Sequence, residues 1–325
     1  ILLKIIFLNM EKNKLPSLAV TSRSFSKNRF LREAVLKQYP DVKFNDKGLS
    51  LNGASLIEFL NGYEKAITAL EVIDDSILSH LPDLKVISKY GVGLDMIDFD
   101  SLYSHGVKIG WEGGVNKRSV SELVISFATA LLHRSIFANM EVRKGNWYQV
   151  IGRQLSGSTF GIIGCGHIGK DLVKLLGPYN CRILVHDILE FNEFYKENKV
   201  TPVTLDELLK ESDVVSLHLP LDNSTKNIIN KEKLQMLKKS AVLINLARGG
   251  LIDEKALKEI VLDKKIGGIA LDVFEIEPPI DKMLCLMDNV LITPHIGGST
   301  EEAILAMGMA AIDGLKHPKN PLEFV

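Results

Sequence analysis

FGIIGCGHIGKDLVKLLGPYNCRILVHD, running from Phe160 to Asp187, decides the fold. It opens with an apolar run, Phe160 to Ile163, of the kind that forms a buried strand. The G-x-G-x-x-G pattern follows as Gly164-Cys165-Gly166-His167-Ile168-Gly169 and leads straight into a helical stretch, Lys170 to Leu176. A second β-rich run, Arg182 to His186, ends on Asp187, eighteen residues past the last glycine. Gly164 permits the tight strand-to-helix turn, Gly166 lets a pyrophosphate approach the backbone, and Gly169 lets helix and strand pack closely. His167 and Ile168 stand at the helix N-terminus, where open N–H groups and the positive dipole end favour phosphates. Asp187 is placed to accept hydrogen bonds from both hydroxyls of an adenine ribose and to repel a 2′-phosphate. No basic residue follows at once (Ile188, Leu189, Glu190), so the pattern favours NAD over NADP.

Outward from this stretch, strand-like runs recur at Val214 to Leu217, Ala241 to Asn245, Gly268 to Val273 and Val290 to Thr293, with helical segments between them. The alternation predicts an α/β, Rossmann-type doubly wound parallel sheet over residues 117–298. Upstream lie a strand at Leu18 to Thr21, one helix over Lys27 to Gln38, and runs at Leu56 to Leu60, Lys65 to Thr68, Lys85 to Ser88 and Val107 to Ile109. They predict a smaller α/β domain over residues 1–116 that carries the substrate. Its loop Tyr90-Gly91-Val92-Gly93-Leu94-Asp95 opens backbone N–H groups toward an anion. Lys117 to Arg134 reads as a helix apolar nearly all round, buried on several sides, between domains or in a subunit interface. Ser119 and Glu122 read as its capping box, which makes Glu122 a capping rather than a catalytic acid. Residues 299–325 are expected to return to the first domain, with substrate and nicotinamide meeting in the cleft between domains.

At 325 residues two domains are the expectation, and 46% hydrophobic with 24% charged residues describes an ordinary globular chain. The net charge of −1 makes no case for nucleic acid or an anionic membrane. Cys165, Cys181 and Cys285 are odd in number and lack metal-type spacing, which indicates a reduced, cytoplasmic protein without a metal site. Cys165 reads as a small turn residue. Ile1 to Leu8 is apolar but too short to span a bilayer. With no cleavage-type site after it and Met10 close behind, residues 1–9 are expected to lie upstream of the natural start or to form a loose extra segment. No appended regulatory domain is expected beyond Val325.

Three stretches at the carboxyl ends of late strands hold candidate chemistry: Asn245 to Gly250 (NLARGG), Leu271 to Pro278 (LDVFEIEP) and Thr293 to Ser299 (TPHIGGS). Open α/β sheets bind ligands at those ends. Arg248 offers a planar fork for a carboxylate, and His295 stands in a loop shaped by Pro294 and a glycine pair. His80, His105, His133, His167, His186 and His317 read as ordinary satisfied side chains. His218, between a strand end and Pro220, is a candidate to line the cofactor cleft.

With VGLDMID, GRQLSGSTFGIIGCGHIG, HLPL, INLARGGLIDE, ALDVFEIEP and PHIGGST, the chain resembles the D-isomer-specific 2-hydroxyacid dehydrogenases from about Leu18 onward. The resemblance implies an NAD domain beside a flavodoxin-like substrate domain, a homodimer, and hydride transfer between NAD and a 2-hydroxy acid. It implies catalytic roles for Arg248, Glu277 and His295, and a place for Asp272 near the nicotinamide amide. Asp187 would bind ribose, while Pro220, Ala247 and Gly297 complete the cofactor set. The backbone at Val92 and Gly93 would hold the substrate carboxylate. These residue types suit the chemistry. Reducing a 2-keto acid needs a proton for the carbonyl oxygen, and histidine exchanges one near neutral pH. A carboxylate beside the ring orients it and favours its cation, and an arginine grips carboxylate and carbonyl oxygen together. Glu275 is the nearest rival to Glu277, and the resemblance decides between them. Formate dehydrogenases of similar fold carry Gln at the place of Glu277, which speaks against that branch. An NAD(H)-sensing regulator is the alternative of another class, because dehydrogenase-fold corepressors can keep the same set. Phosphoglycerate dehydrogenases place an Arg in the segment matching Ile67-Thr68-Ala69-Leu70; none stands here, and Lys89 is its partial stand-in. A phosphoglycerate dehydrogenase-like activity and glyoxylate or hydroxypyruvate reduction both fit.

Overall fold

A computed structural model of the chain describes residues 17–324, so the question raised by residues 1–9 lies outside the described residues. The described residues group into two units: residues up to Asn116 together with those from Glu301, and Lys117–Thr300.

The first unit alternates strand and helix: β1 (Leu18–Val20), α1 (Arg23–Lys27), α2 (Arg29–Leu36), β2 (Val42–Phe44), α3 (Gly53–Leu60), β3 (Lys65–Thr68), α4 (Asp75–Leu78), β4 (Val86–Lys89), α5 (Phe99–Ser104) and β5 (Lys108–Gly110). The helix expected over Lys27 to Gln38 is α2, shorter at both ends, and a separate short helix, α1, precedes it. Asn28 takes an extended conformation between them, and its side-chain oxygen accepts the Leu31 N–H at 3.1 Å, capping α2. The strands pair in parallel in the order β2-β1-β3-β4-β5, the flavodoxin-like arrangement. Every residue of β1 and β4 is buried, as expected of a parallel sheet covered on both faces.

The second unit contains α6 (Lys117–Leu132), α7 (Ser135–Arg143), β6 (Thr159–Ile163), α8 (His167–Leu176), β7 (Arg182–His186), α9 (Asn192–Glu197), β8 (Thr201–Pro202), α10 (Leu205–Glu211), β9 (Val214–Leu217), α11 (Lys231–Met236), β10 (Val242–Asn245), α12 (Glu254–Leu262), β11 (Gly268–Leu271) and β12 (Val290–Ile292). Its strands run parallel in the order β12-β11-β10-β9-β6-β7-β8. Strand order therefore reverses between β6 and β9, and the crevice at their carboxyl ends is where such sheets take ligands. Val120, Val124, Phe127 and Leu132 of α6 share a core with Leu172 and Leu176 of α8 and with Val242, Ile244 and Ala270, so α6 packs on α8 and on β10 and β11 within this unit.

The capping box expected at Ser119 and Glu122 does not form. A capping residue stands outside the helix, whereas Ser119 is the third residue of α6, buried, with its hydroxyl donating to the Gly297 carbonyl at 2.6 Å. Glu122 is exposed. No single helix among the described residues is long and apolar enough to cross a membrane.

The last helix, α13 (Glu301–Gly314), packs against α2, β4 and β5 of the first unit. Ser88 donates its hydroxyl to the Ala311 carbonyl at 2.6 Å, and Gly110 meets Gly314 backbone to backbone. A Cβ on Gly110 would stand 2.3 Å from the Gly314 carbonyl oxygen, with only main chain to yield. Gly110→Ala should therefore destabilise the protein by about 1–3 kcal/mol through overpacking. Urea unfolding checks this, and an unchanged midpoint would contradict the close helix–sheet contact.

Candidate active site

The glycine turn between β6 and α8 is built by close contact. Gly164 has φ +95°, open to glycine at little cost, and a Cβ there would lie 2.5 Å from the His218 carbonyl oxygen. A Cβ on Gly169 would lie 2.2 Å from the Gly164 carbonyl oxygen, whereas one on Gly166 would meet nothing within 4 Å. The turn is thus packed beneath and open at its middle glycine, beside His167 and Ile168 at the start of α8. Asp187 stands at the carboxyl end of β7, one oxygen accepting the Cys165 N–H at 2.5 Å and the other the Leu189 N–H at 2.8 Å. The Cys165 thiol is buried, and burial, abetted by the Asp187 charge and opposed by Lys170, pushes its pKa up to about 11. It stays protonated at neutral pH and is no nucleophile.

His218 follows β9, across the strand-order reversal from β6. Its Nε2 lies 2.9 Å from the Ser216 hydroxyl, while Nδ1 is buried without a protein partner among the described residues. Burial drives its pKa down to about 3, although the residue as a whole keeps partial exposure, so the ring is neutral. Pro220 is exposed just beyond it. Open space over Gly166, a helix N-terminus, a held carboxylate and an unpartnered buried ring nitrogen together fit a dinucleotide.

The carboxyl ends of the adjacent strands β10, β11 and β12 carry the remaining candidates. Asn245, buried at the end of β10, folds its side chain over the following turn. It accepts the Ala247 N–H at 3.0 Å and donates to the Arg248 carbonyl at 2.8 Å. The Arg248 guanidinium donates to the Ala247 carbonyl at 2.7 Å. A Cβ on Gly249 would fall 2.0 Å from the Phe274 carbonyl, so this turn rests directly on the one after β11. Asparagine at a strand end is the sequence signal for such a side-chain-made turn.

In the turn after β11, Glu277 folds back to accept the Phe274 N–H at 3.1 Å, and its other oxygen lies 2.8 Å from His295 Nδ1. Glu275 instead gives its N–H to the Glu254 carboxylate at 2.6 Å. Both members of the Glu277–His295 pair are partly exposed. Asp272, 1% exposed, turns both oxygens to the loop that carries His295 rather than outward. One accepts the Thr293 hydroxyl at 2.5 Å and the Ile296 N–H at 2.7 Å; the other accepts the Gly297 N–H at 2.7 Å. Lys89, Val92 and Gly93 belong to the first unit. Lys89 is a buried residue of β4 whose ammonium donates to the Ala69 carbonyl, and Val92 and Gly93 lie in the loop beyond it. Among the described residues no group of three or more His, Cys, Asp or Glu is arranged to hold a metal ion.

The family model for the D-isomer specific 2-hydroxyacid dehydrogenase, NAD binding domain, matches residues 125–297. A hydroxypyruvate reductase of Thermotoga maritima is 38% identical over 236 residues, covering 71% of this chain and 76% of the relative. A D-3-phosphoglycerate dehydrogenase of Bacillus subtilis is 36% identical over 240 residues; the match takes in 73% of this chain but 46% of that longer protein. Among solved structures, the D-lactate dehydrogenase of Aquifex aeolicus complexed with NAD and lactic acid superposes with a TM-score of 0.79 at 28% identity, covering 92% of this chain and 94% of that one.

The buried neutral His218 has a consequence for stability. Its folded pKa, about 3, lies below the ordinary 6.5, so the unfolded chain binds the proton more readily. The ring's contribution is full above pH 6.5 and is lost as pH falls toward 3. Stability of the unmodified protein should decline more steeply over that window than that of His218→Asn. Parallel urea-unfolding curves for the two proteins would contradict a buried neutral ring.

Proposed function

We propose, from the premise that the chain belongs to the D-isomer specific 2-hydroxyacid dehydrogenase family and is an NAD-dependent oxidoreductase, that Arg248, Glu277 and His295 interconvert a D-2-hydroxy acid and its 2-keto acid. The observation that carries this reading is the 2.8 Å contact between His295 Nδ1 and Glu277. It commits Nδ1 to the carboxylate and makes Nε2 the nitrogen that exchanges a proton with substrate. In the reducing direction His295 gives that proton to the carbonyl oxygen as negative charge develops there; in the oxidising direction it takes the proton back. Glu277 fixes the ring's tautomer and offsets the charge of the protonated ring. The Arg248 fork holds the substrate carboxylate and polarises the carbonyl, which a lysine cannot do with the same planar geometry. Bound at the glycine turn, the nicotinamide cofactor supplies or accepts the hydride.

Reduction of an unphosphorylated acid such as hydroxypyruvate or glyoxylate is favoured over a phosphorylated one by a specific observation. Ile67 to Leu70 offers no arginine, and the Lys89 ammonium is engaged by the Ala69 carbonyl of that same segment. NADH oxidation with hydroxypyruvate, glyoxylate, pyruvate and phosphohydroxypyruvate tests the whole reading. Turnover is expected with the first two, and replacing the proton carrier, His295→Gln, should lower kcat by roughly 10²–10⁴-fold, the usual worth of general acid–base catalysis. Absence of turnover with all four would favour a nucleotide-sensing regulator, and a preference for phosphohydroxypyruvate would overturn the substrate assignment.

A second copy of the chain is the proposed partner. Helix α7 has no buried residue, and Ile136, Met140 and Val142 stand exposed on it. Trp147 and Ile151 beyond it are each 88% exposed. So large an apolar display invites burial in a two-fold interface. Light scattering at micromolar concentration should give a dimer, with Trp147→Ser combined with Ile151→Ser shifting it toward monomer; a monomeric unmodified protein would refute the interface.

A further inference from the structure

His295 has φ +55°, in the left-handed region that a side chain makes unfavourable by roughly 1–2 kcal/mol. Something must hold it there, and the contacts do so from two directions. From β11, the Asp272 carboxylate takes the Thr293 hydroxyl and the N–H groups of Ile296 and Gly297, while its own carbonyl takes the His295 N–H at 2.9 Å. From α6, Ser119, 6% exposed, donates to the Gly297 carbonyl at 2.6 Å. The same turn of α6 is tied to the cofactor helix. Arg118 forms two hydrogen bonds of 2.9 Å to Asp171 of α8, and Ser121 donates to the Ile168 carbonyl at 3.3 Å.

We propose that Ser119 and Thr293 are positioning residues for His295: their hydroxyls lock the 293–297 loop through the Gly297 carbonyl and the Asp272 carboxylate, and α6 braces that loop against the N-terminus of the cofactor helix. This rests on reading His295 as the proton carrier. Neither hydroxyl has a partner among reacting groups; Ser119 acts through the Gly297 carbonyl and Thr293 through the Asp272 carboxylate that holds the loop carrying the imidazole. A ring displaced by about 1 Å can lose on the order of 10²-fold in rate, while the glycine turn that binds cofactor is untouched.

The test uses the full chain with Ser119→Ala, Thr293→Val and, as the conservative partner, Thr293→Ser. Amide hydrogen exchange at Ile296 and Gly297 reads the lock without any turnover; kcat for keto-acid reduction and NADH affinity by fluorescence read its consequence. Ser119→Ala and Thr293→Val should lose exchange protection at those amides and about 10- to 100-fold in kcat, with NADH affinity changed less than about twofold. Thr293→Ser, which keeps the hydroxyl, should restore both protection and rate, and separates this effect from misfolding. Unchanged protection in the first two variants overturns the lock, and so does lost protection with a normal kcat. A parallel loss of NADH affinity overturns it too, since the hydroxyls would then serve the cofactor site. If the unmodified protein reduces no keto acid while the exchange pattern behaves as expected, the reading of the enzyme fails and the lock stands.

Discussion

Parallel strands all end on one side, and that constraint organises the second unit. Seven strands run the same way, so the glycine turn after β6, Asp187 after β7, His218 after β9, Arg248 after β10, Glu277 after β11 and His295 after β12 all emerge along a single edge. None of these side chains lies in a helix interior. Each residue stands in a loop, and loops need support if geometry is to persist. The support is backbone contact too close for a side chain, as at Gly164, Gly169 and Gly249, together with buried polar groups that fold the loops back on themselves.

Those buried groups divide the work. Asn245 shapes the turn that carries Arg248, Glu277 closes its own turn before it reaches His295, and Asp272 binds three donors of the histidine loop. A carboxylate as deeply buried as Asp272 is tolerated because its oxygens are well supplied with hydrogen bonds. Its neighbours gain a fixed frame in return. The exposed Glu277–His295 pair contributes little to stability by itself.

Much of this was legible in the chain. The strand–glycine–helix–strand–acid sequence around Phe160 to Asp187 is a local steric requirement, and local requirements leave local marks. The fully buried strands Val214–Leu217 and Val242–Asn245 stood out as mostly apolar runs, with Ser216 inside one and Asn245 closing the other. What could not be read were partners distant in sequence. Ser119 followed by Glu122 has the spacing of a cap, yet the hydroxyl finds the Gly297 carbonyl, and no local pattern encodes that choice. Asp272 was placed by resemblance near the nicotinamide; its three donors come from residues 293–297, which only β11–β12 pairing brings near. The cap at Asn28 was visible in principle, since asparagine is a preferred cap, and it starts α2 at Arg29 rather than at Lys27.

The first unit is completed by a helix that comes last in the chain. Ala311, Ile312 and Leu315 share a core with Leu18, Val20 and Ile67, and Lys65 donates to the Leu315 carbonyl at 2.6 Å. During synthesis the ribosome therefore releases the whole of Lys117–Thr300 before it supplies the piece that closes the earlier unit. The earlier unit must wait, with one face of β4 and β5 uncovered, while the later unit already has every residue it needs. Nascent-chain order and architectural order are thus inverted in this protein, and the interval between them is the time when that face of β4 and β5 lies open.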